Sequence, residues 1–301
     1  MTYADLLLHI DTYPMTTTIA GIDEAVAVAA SLGGKLTGLA VDVDIPMRSN
    51  RLADYLIGLS AMADAEEARS RAACCDGLAH FTKSATAASV FQAALSKKVN
   101  HYDVPDKVAS LARTYDLSIL PMVGGFDGQM EVADSVVFNS GRPVLVYDVG
   151  QAAGLARDLD LVVVAWDGSR GAARAMADAL PILTRAKRVQ VLTVLNEKPH
   201  AVPQLGEAAK RHLQMHGVSA TLDEVDAEGD KIGAVLDLYI EKHQPDLLVM
   251  GGYGHFACPR IPFGRRHRAC PEGAAMSGSV IPLTRALTSR ETFFGATSWI
   301  R

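Results

Sequence analysis

Three glycines, Gly251, Gly252 and Gly254, follow directly on the apolar run Leu247-Leu-Val-Met. Earlier in the chain a carboxylate, Asp167, closes another apolar run, Asp160-Leu-Val-Val-Val-Ala-Trp, and is followed by Gly168 and Ser169. Glycines placed just after a strand let backbone N–H groups approach phosphate oxygens with no Cβ in the way, and a helix that follows adds its positive end. A carboxylate at a strand end accepts hydrogen bonds from ribose hydroxyls. Together such groups would hold a nucleotide outside the carboxyl ends of a parallel sheet, where sheets of this kind bind ligands. A plainer reading fits the same residues. The glycines make a tight turn, and Asp167 caps a helix that starts near Gly168 and Ser169. Short glycine matches carry a high rate of false positives, so the elements around them have to decide.

Those elements repeat. Residues 3–10 and 160–166 are short branched apolar runs, each closing on an acid, Asp11 and Asp167. Such runs suit strands buried on both faces of a parallel sheet. Each is followed by small polar residues, an Ala-rich stretch of helical composition (17–32 and 170–185) and a further strand (35–43 and 188–195). Pro105 then opens a helix through Arg113 that runs into Asp116-Leu-Ser-Ile-Leu-Pro, and residues 230–243 followed by Asp246-Leu-Leu-Val-Met repeat that pattern. The first half adds a long helical region over 53–81 and closes on Arg142-Pro-Val-Leu-Val-Tyr, a fifth strand. Strands and helices alternating in this order predict βαβ units with right-handed crossovers. The two halves read as one unit used twice.

With these segments in place, the chain resembles the universal stress protein family in its tandem two-domain form. The resemblance covers residues 1–255 and is strongest in Val162-Val-Val-Ala-Trp-Asp-Gly-Ser and Leu247-Leu-Val-Met-Gly-Gly-Tyr-Gly-His. It implies two doubly wound five-stranded parallel sheets of order 3-2-1-4-5, and pairing either between chains or between the two domains. In members that bind ATP, an acid after the first strand contacts the adenosine, a Val after the second contacts adenine, and G-x2-G-x9-G-[S/T] wraps the phosphates. By resemblance, Asp167, Val194, Gly251 and Gly254 take those places. The first domain departs from the pattern: after its fourth strand comes Pro121-Met-Val-Gly-Gly-Phe-Asp-Gly-Gln, where Asp127 would set a negative charge against a triphosphate. ATP is therefore expected in the second domain only.

Past His255 the chain changes character. Residues 1–255 hold 22 basic and 32 acidic groups, whereas 256–301 hold seven arginines, no lysine and two glutamates. In the second domain Gly264 falls at the right distance but is followed by Arg265, and no further helix or strand is predicted. If each codon from Phe256 is read from its second base, the degenerate code permits Ser-Arg-Ala-Arg-Glu-Phe-Leu-Leu-Gly-Gly-Val-Thr over 256–267, and Cys-Pro-Val-Pro-Leu-Phe-Leu-Ser-His over 276–284. Both strings resemble the family's closing segments, at their proper separation. A shifted reading frame is the expected origin of the tail, and a divergent tail is the alternative. The predicted organisation is a first domain at 1–150, a linker at 151–158, a second domain at 159–255 lacking its last helix and strand, and an aberrant tail at 256–301. The fourth strand of the second domain is then expected to have an unpaired edge, and the tail to be largely disordered.

Composition narrows the function. The chain has 301 residues, 49% hydrophobic and 21% charged, with a formal charge of −5, which suits globular domains large enough to bury their own cores. A mildly acidic balance argues against nucleic acid as the partner. No secretory leader pattern follows Met1 and no apolar run reaches the ~18–20 residues that span a bilayer, so no membrane partner and a cytoplasmic location are expected. Cys74 and Cys75 suit small helix residues better than a redox pair. Cys258, His267 and Cys270 lack the fourth ligand of a structural zinc site. No catalytic constellation appears, and Asp167-Gly-Ser-Arg-Gly is not the SGGxDS-like loop of ATP-pyrophosphatases. The expected role is a stress-response binding protein, hydrolysing ATP slowly at most; the alternative is a nucleotide-independent scaffold that binds proteins.

Overall fold

The computed structural model describes residues 3–46, 59–123, 127–150, 159–196, 205–252 and 279–283. The first half contains β1 (Asp5–Ile10), α1 (Ile19–Leu32), β2 (Lys35–Asp44), α2 (Leu59–Ala87), β3 (Phe91–Asn100), α3 (Val104–Ala112), β4 (Leu117–Met122), α4 (Asp127–Asn139) and β5 (Pro143–Asp148). The second contains β6 (Leu161–Ala165), α5 (Arg170–Leu183), β7 (Arg188–Leu195), α6 (Leu205–Met215), β8 (Ala220–Asp226), α7 (Ile232–His243) and β9 (Leu247–Gly251). The linker predicted at 151–158 lies outside the described residues.

The first five strands are all parallel in the order 3-2-1-4-5, and β6 to β9 form a four-stranded parallel sheet of the same winding, β8-β7-β6-β9. The doubly wound α/β fold is as the alternation of elements requires. Among the described residues the second half has no parallel fifth strand, and α4 has no counterpart there.

The edge of β9 differs from expectation. A short strand, β10 (Ser279–Leu283), lies between β5 and β9 and joins the halves into one ten-stranded sheet. It runs parallel to β5 over five residues, Ser279 opposite Pro143 through Leu283 opposite Tyr147. Against β9 it runs antiparallel, with Ser279 opposite Gly251 and Val280 opposite Met250. It stands where a closing strand of the second half would stand but in the reversed direction. The edge of β9 is thus partly covered, because unsatisfied N–H and C=O groups on two facing edges template an intervening strand. The rest of the tail lies outside the described residues.

Helices cover both faces. On one, Leu6, Leu8 and Ile10 of β1 pack with Ile22, Ala25 and Phe81, and the same core continues through Val162 and Val164 to Ala175, Met176 and Leu213. On the other, Leu7 of β1, Val108 and Val136 are joined through Val163 to Leu236 and Tyr239. Alternation along β1 and β6 therefore feeds two cores, each shared by both halves. Side-chain bonds add a clasp: Tyr3 Oη donates to the Asp178 carbonyl, and Arg174 donates from Nη2 to the Gly141 carbonyl at 2.9 Å and from Nε to Asp178 Oδ2 at 3.0 Å.

One device occurs in both halves. Asp116 Oδ2 accepts the N–H groups of Ala4 (2.9 Å) and Asp5 (3.0 Å), and Asp246 Oδ2 accepts those of Asp160 (2.7 Å) and Leu161 (2.9 Å). The Asp-Leu that opens each fourth strand thereby fixes the start of the central strand beside it. Asp246→Ala removes the acceptor of both bonds and should destabilise the protein by about 1–3 kcal/mol, read as a lower denaturant midpoint. An unchanged midpoint would show that water replaces the carboxylate without loss.

Candidate functional site

The end of β6 runs through Trp166 and Asp167 into a turn at Gly168, whose φ of 73° favours glycine. Ser169 then caps α5: its Oγ accepts the Ala172 N–H at 3.1 Å. Asp167 Oδ1 accepts the Ser169 N–H at 2.9 Å, which fixes the carboxylate at the head of the helix. The cap itself is Ser169, not Asp167. The first half opens its first helix alike, with Thr18 Oγ1 accepting the Gly21 N–H at 3.1 Å.

Asp167, Val194 and Gly251 converge. All three line one open cleft at the carboxyl ends of β6, β7 and β9. Gly254 lies outside the described residues. The floor is apolar: Leu192 and Val194 project from β7 two residues apart, and Ile232 and Leu236 from α7 four apart. Those spacings put each pair on one face of its element. Trp166 lines the cleft too, and its Nε1 donates to the Leu205 carbonyl at 3.1 Å, fixing the ring to the start of α6.

Gly251 has a packing duty. A Cβ there would sit 2.5 Å from the Ala172 nitrogen and 2.5 Å from the Gly171 carbonyl carbon. The end of β9 therefore lies directly on the first turn of α5, which only a residue without a side chain permits.

The equivalent corner of the first half is filled by its own side chains. Gln129, buried in α4, donates from Nε2 to Asp11 Oδ2 at 2.8 Å and accepts the Val123 N–H on Oε1 at 2.9 Å. His9, 3% exposed, has its Nε2 3.0 Å from Asp11 Oδ1, and the Asp11 N–H donates to Thr17 Oγ1 at 2.8 Å. Asp11, the counterpart of Asp167, is thus engaged by its own neighbours. Asp127 begins α4, and Gln129, two residues on, is the side chain that reaches Asp11.

Other chemistry is sparse. Among the described residues no group of three or more His, Cys, Asp or Glu is placed to hold a metal ion, and no helix is long and apolar enough to cross a membrane. Cys74 is buried with its Sγ 3.3 Å from Ser96 Oγ, and burial pushes its thiol up, away from reactivity. Cys258, His267 and Cys270 lie outside the described residues.

No known family profile matches the chain, and no curated protein sequence matches it. Solved structures do. A universal stress protein from Archaeoglobus fulgidus DSM 4304 superposes with a TM-score of 0.58, over 80% of this chain and 82% of its own, at 14% identity. The fold is the one seen in that universal stress protein. At such identity the likeness is one of fold, and function has to be argued from the cleft.

Proposed function

We propose that the chain is a stress-response binding protein of the universal stress type, acting in the cytoplasm, whose second half binds an adenine nucleotide in the cleft between β6, β7 and β9. One observation carries the reading: a carboxylate, Asp167, stands at the mouth of an apolar cleft at the carboxyl ends of parallel strands. Val194 and Leu192 suit a base, and Asp167 suits ribose hydroxyls. The first half does not join in, since Gln129 and His9 already engage its corresponding carboxylate.

Calorimetric titration of ATP into the full chain tests this, beside a version with the reading frame restored after His255. Asp167→Ala should weaken binding at least about tenfold, the scale of a lost hydrogen bond to a charged group. Unchanged affinity in that variant would remove Asp167 from the site. If neither version binds any adenine compound while both stay folded, nucleotide sensing falls and the protein-binding scaffold is what is left.

A further inference from the structure

We propose that His212 and His216, at the carboxyl end of α6, chelate a divalent transition-metal ion, copper foremost. Both side chains are exposed, and their rings stand with centroids 4.8 Å apart and planes inclined at 65°. Residues four apart share one face at a helix end, and imidazoles this close can each turn a nitrogen toward one ion at the usual ~2.0–2.1 Å. Among the described residues neither ring has a hydrogen-bond or ion-pair partner, so all its nitrogens are open to a ligand. Two protein nitrogens leave the ion's other positions to water. Imidazole suits copper, nickel and zinc, and at a given nitrogen site Cu2+ binds most tightly of the divalent first-row ions.

The backbone holds the pair ready. Leu213, buried between the two histidines in sequence, pins the last turn of α6 to the core of the second half. Its carbonyl accepts the N–H groups of His216 and Val218, each at 3.0 Å, and the Gln214 carbonyl accepts that of Gly217 at 3.0 Å. Gly217, at φ 77°, turns the chain so that Val218 is buried again. A turn closed at three points sets His216 beside His212 before any ion arrives, so little freedom is lost on binding. The position also suits a cation, because the helix dipole is negative at this end. The opposite end of α6, at Leu205, is the one tied to Trp166 of the cleft, so the ion and a nucleotide would occupy separate places.

The experiment titrates Cu2+ up to two equivalents into the 15N-labelled full chain and follows the amide spectrum, since this paramagnetic ion broadens the signals of residues near it. The signals of residues 211–218 should broaden. His212→Gln and His216→Gln each remove one exposed ligand, and the sharp signals of the rest of the domain report that the variant stays folded. Each should weaken copper binding at this turn by about a hundredfold, the scale of losing the second arm of a two-point attachment. Zn2+ in equal amount should not displace the copper. Signals at 211–218 that stay sharp throughout would overturn the proposal. So would broadening there that survives either single substitution, because one histidine would then be enough and no chelate would exist.

Discussion

Phe81→Ala should cost about 3–5 kcal/mol of stability, the range for emptying a fully buried aromatic site. The helix α2 runs 29 residues yet buries only Ala63, Ser70, Cys74, Phe81 and Ala85, and Phe81 is the one bulky side chain among them. Its ring lies 5.9 Å from that of Phe91 on β3 and against β2, where a Cβ on Gly38 would stand 2.6 Å from its Cδ1. Gly38 is the floor of the ring's pocket. Gly38→Ala alone should therefore destabilise by about 1–3 kcal/mol through overpacking. In the Phe81→Ala background the same change should cost nothing or restore part of the loss, because the new methyl enters the vacated space. Urea unfolding of the four proteins measures this coupling. Strict additivity would show that the ring and Gly38 do not share a pocket.

Gly251→Ala should show the opposite behaviour. Its added Cβ meets backbone, the Ala172 nitrogen and the Gly171 carbonyl carbon, not the end of a side chain. No truncation nearby makes room, and either β9 or the first turn of α5 must move. The expected loss is about 2 kcal/mol or more, and it should come with loss of ligand binding, since α5 carries Ser169 and Ala172 at the cleft. A variant that keeps full stability and binding would mean that the strand and helix are not in contact in solution.

The sequence reveals elements in proportion to how completely they are buried. β1, β4, β6 and β9 have neighbours on both sides and helices on both faces, and they read as continuous apolar runs. β3 and β8 are the outer edges of the sheet, and their sequences, Phe-Gln-Ala-Ala-Leu-Ser-Lys-Lys-Val-Asn and Ala-Thr-Leu-Asp-Glu-Val-Asp, are diluted by lysine, alanine and acids, as suits edges that must resist pairing. Neither stands out as a strand until its partner is seen. At the site, Asp167 and Gly251 could be picked out because each closes an apolar run, whereas Val194 came only from the resemblance to the family. Ile232 and Leu236 could not, since nothing in a helix's apolar stripe says whether it faces a core or a cleft. Gln129 escaped for a related reason: its reach to Asp11 exists only once α4 is folded against β1. The run Ser279–Leu283 is apolar enough for a strand, but its direction follows from the path of the chain, which no local pattern records.

The two opposed pairings of β10 set the polarity of the whole sheet. Parallel to β5 and antiparallel to β9, it joins two sets of strands that run in opposite senses. The loop in which Asp11 meets Gln129 and His9 and the cleft that holds Asp167 therefore sit at opposite poles of one continuous sheet. A ligand seated at one pole leaves the other free, and a protein covering the loops of the first half would not close the mouth of the cleft. Two halves that look like copies thus present two separate ends to their surroundings, one sealed and one open, and both can be engaged at the same time.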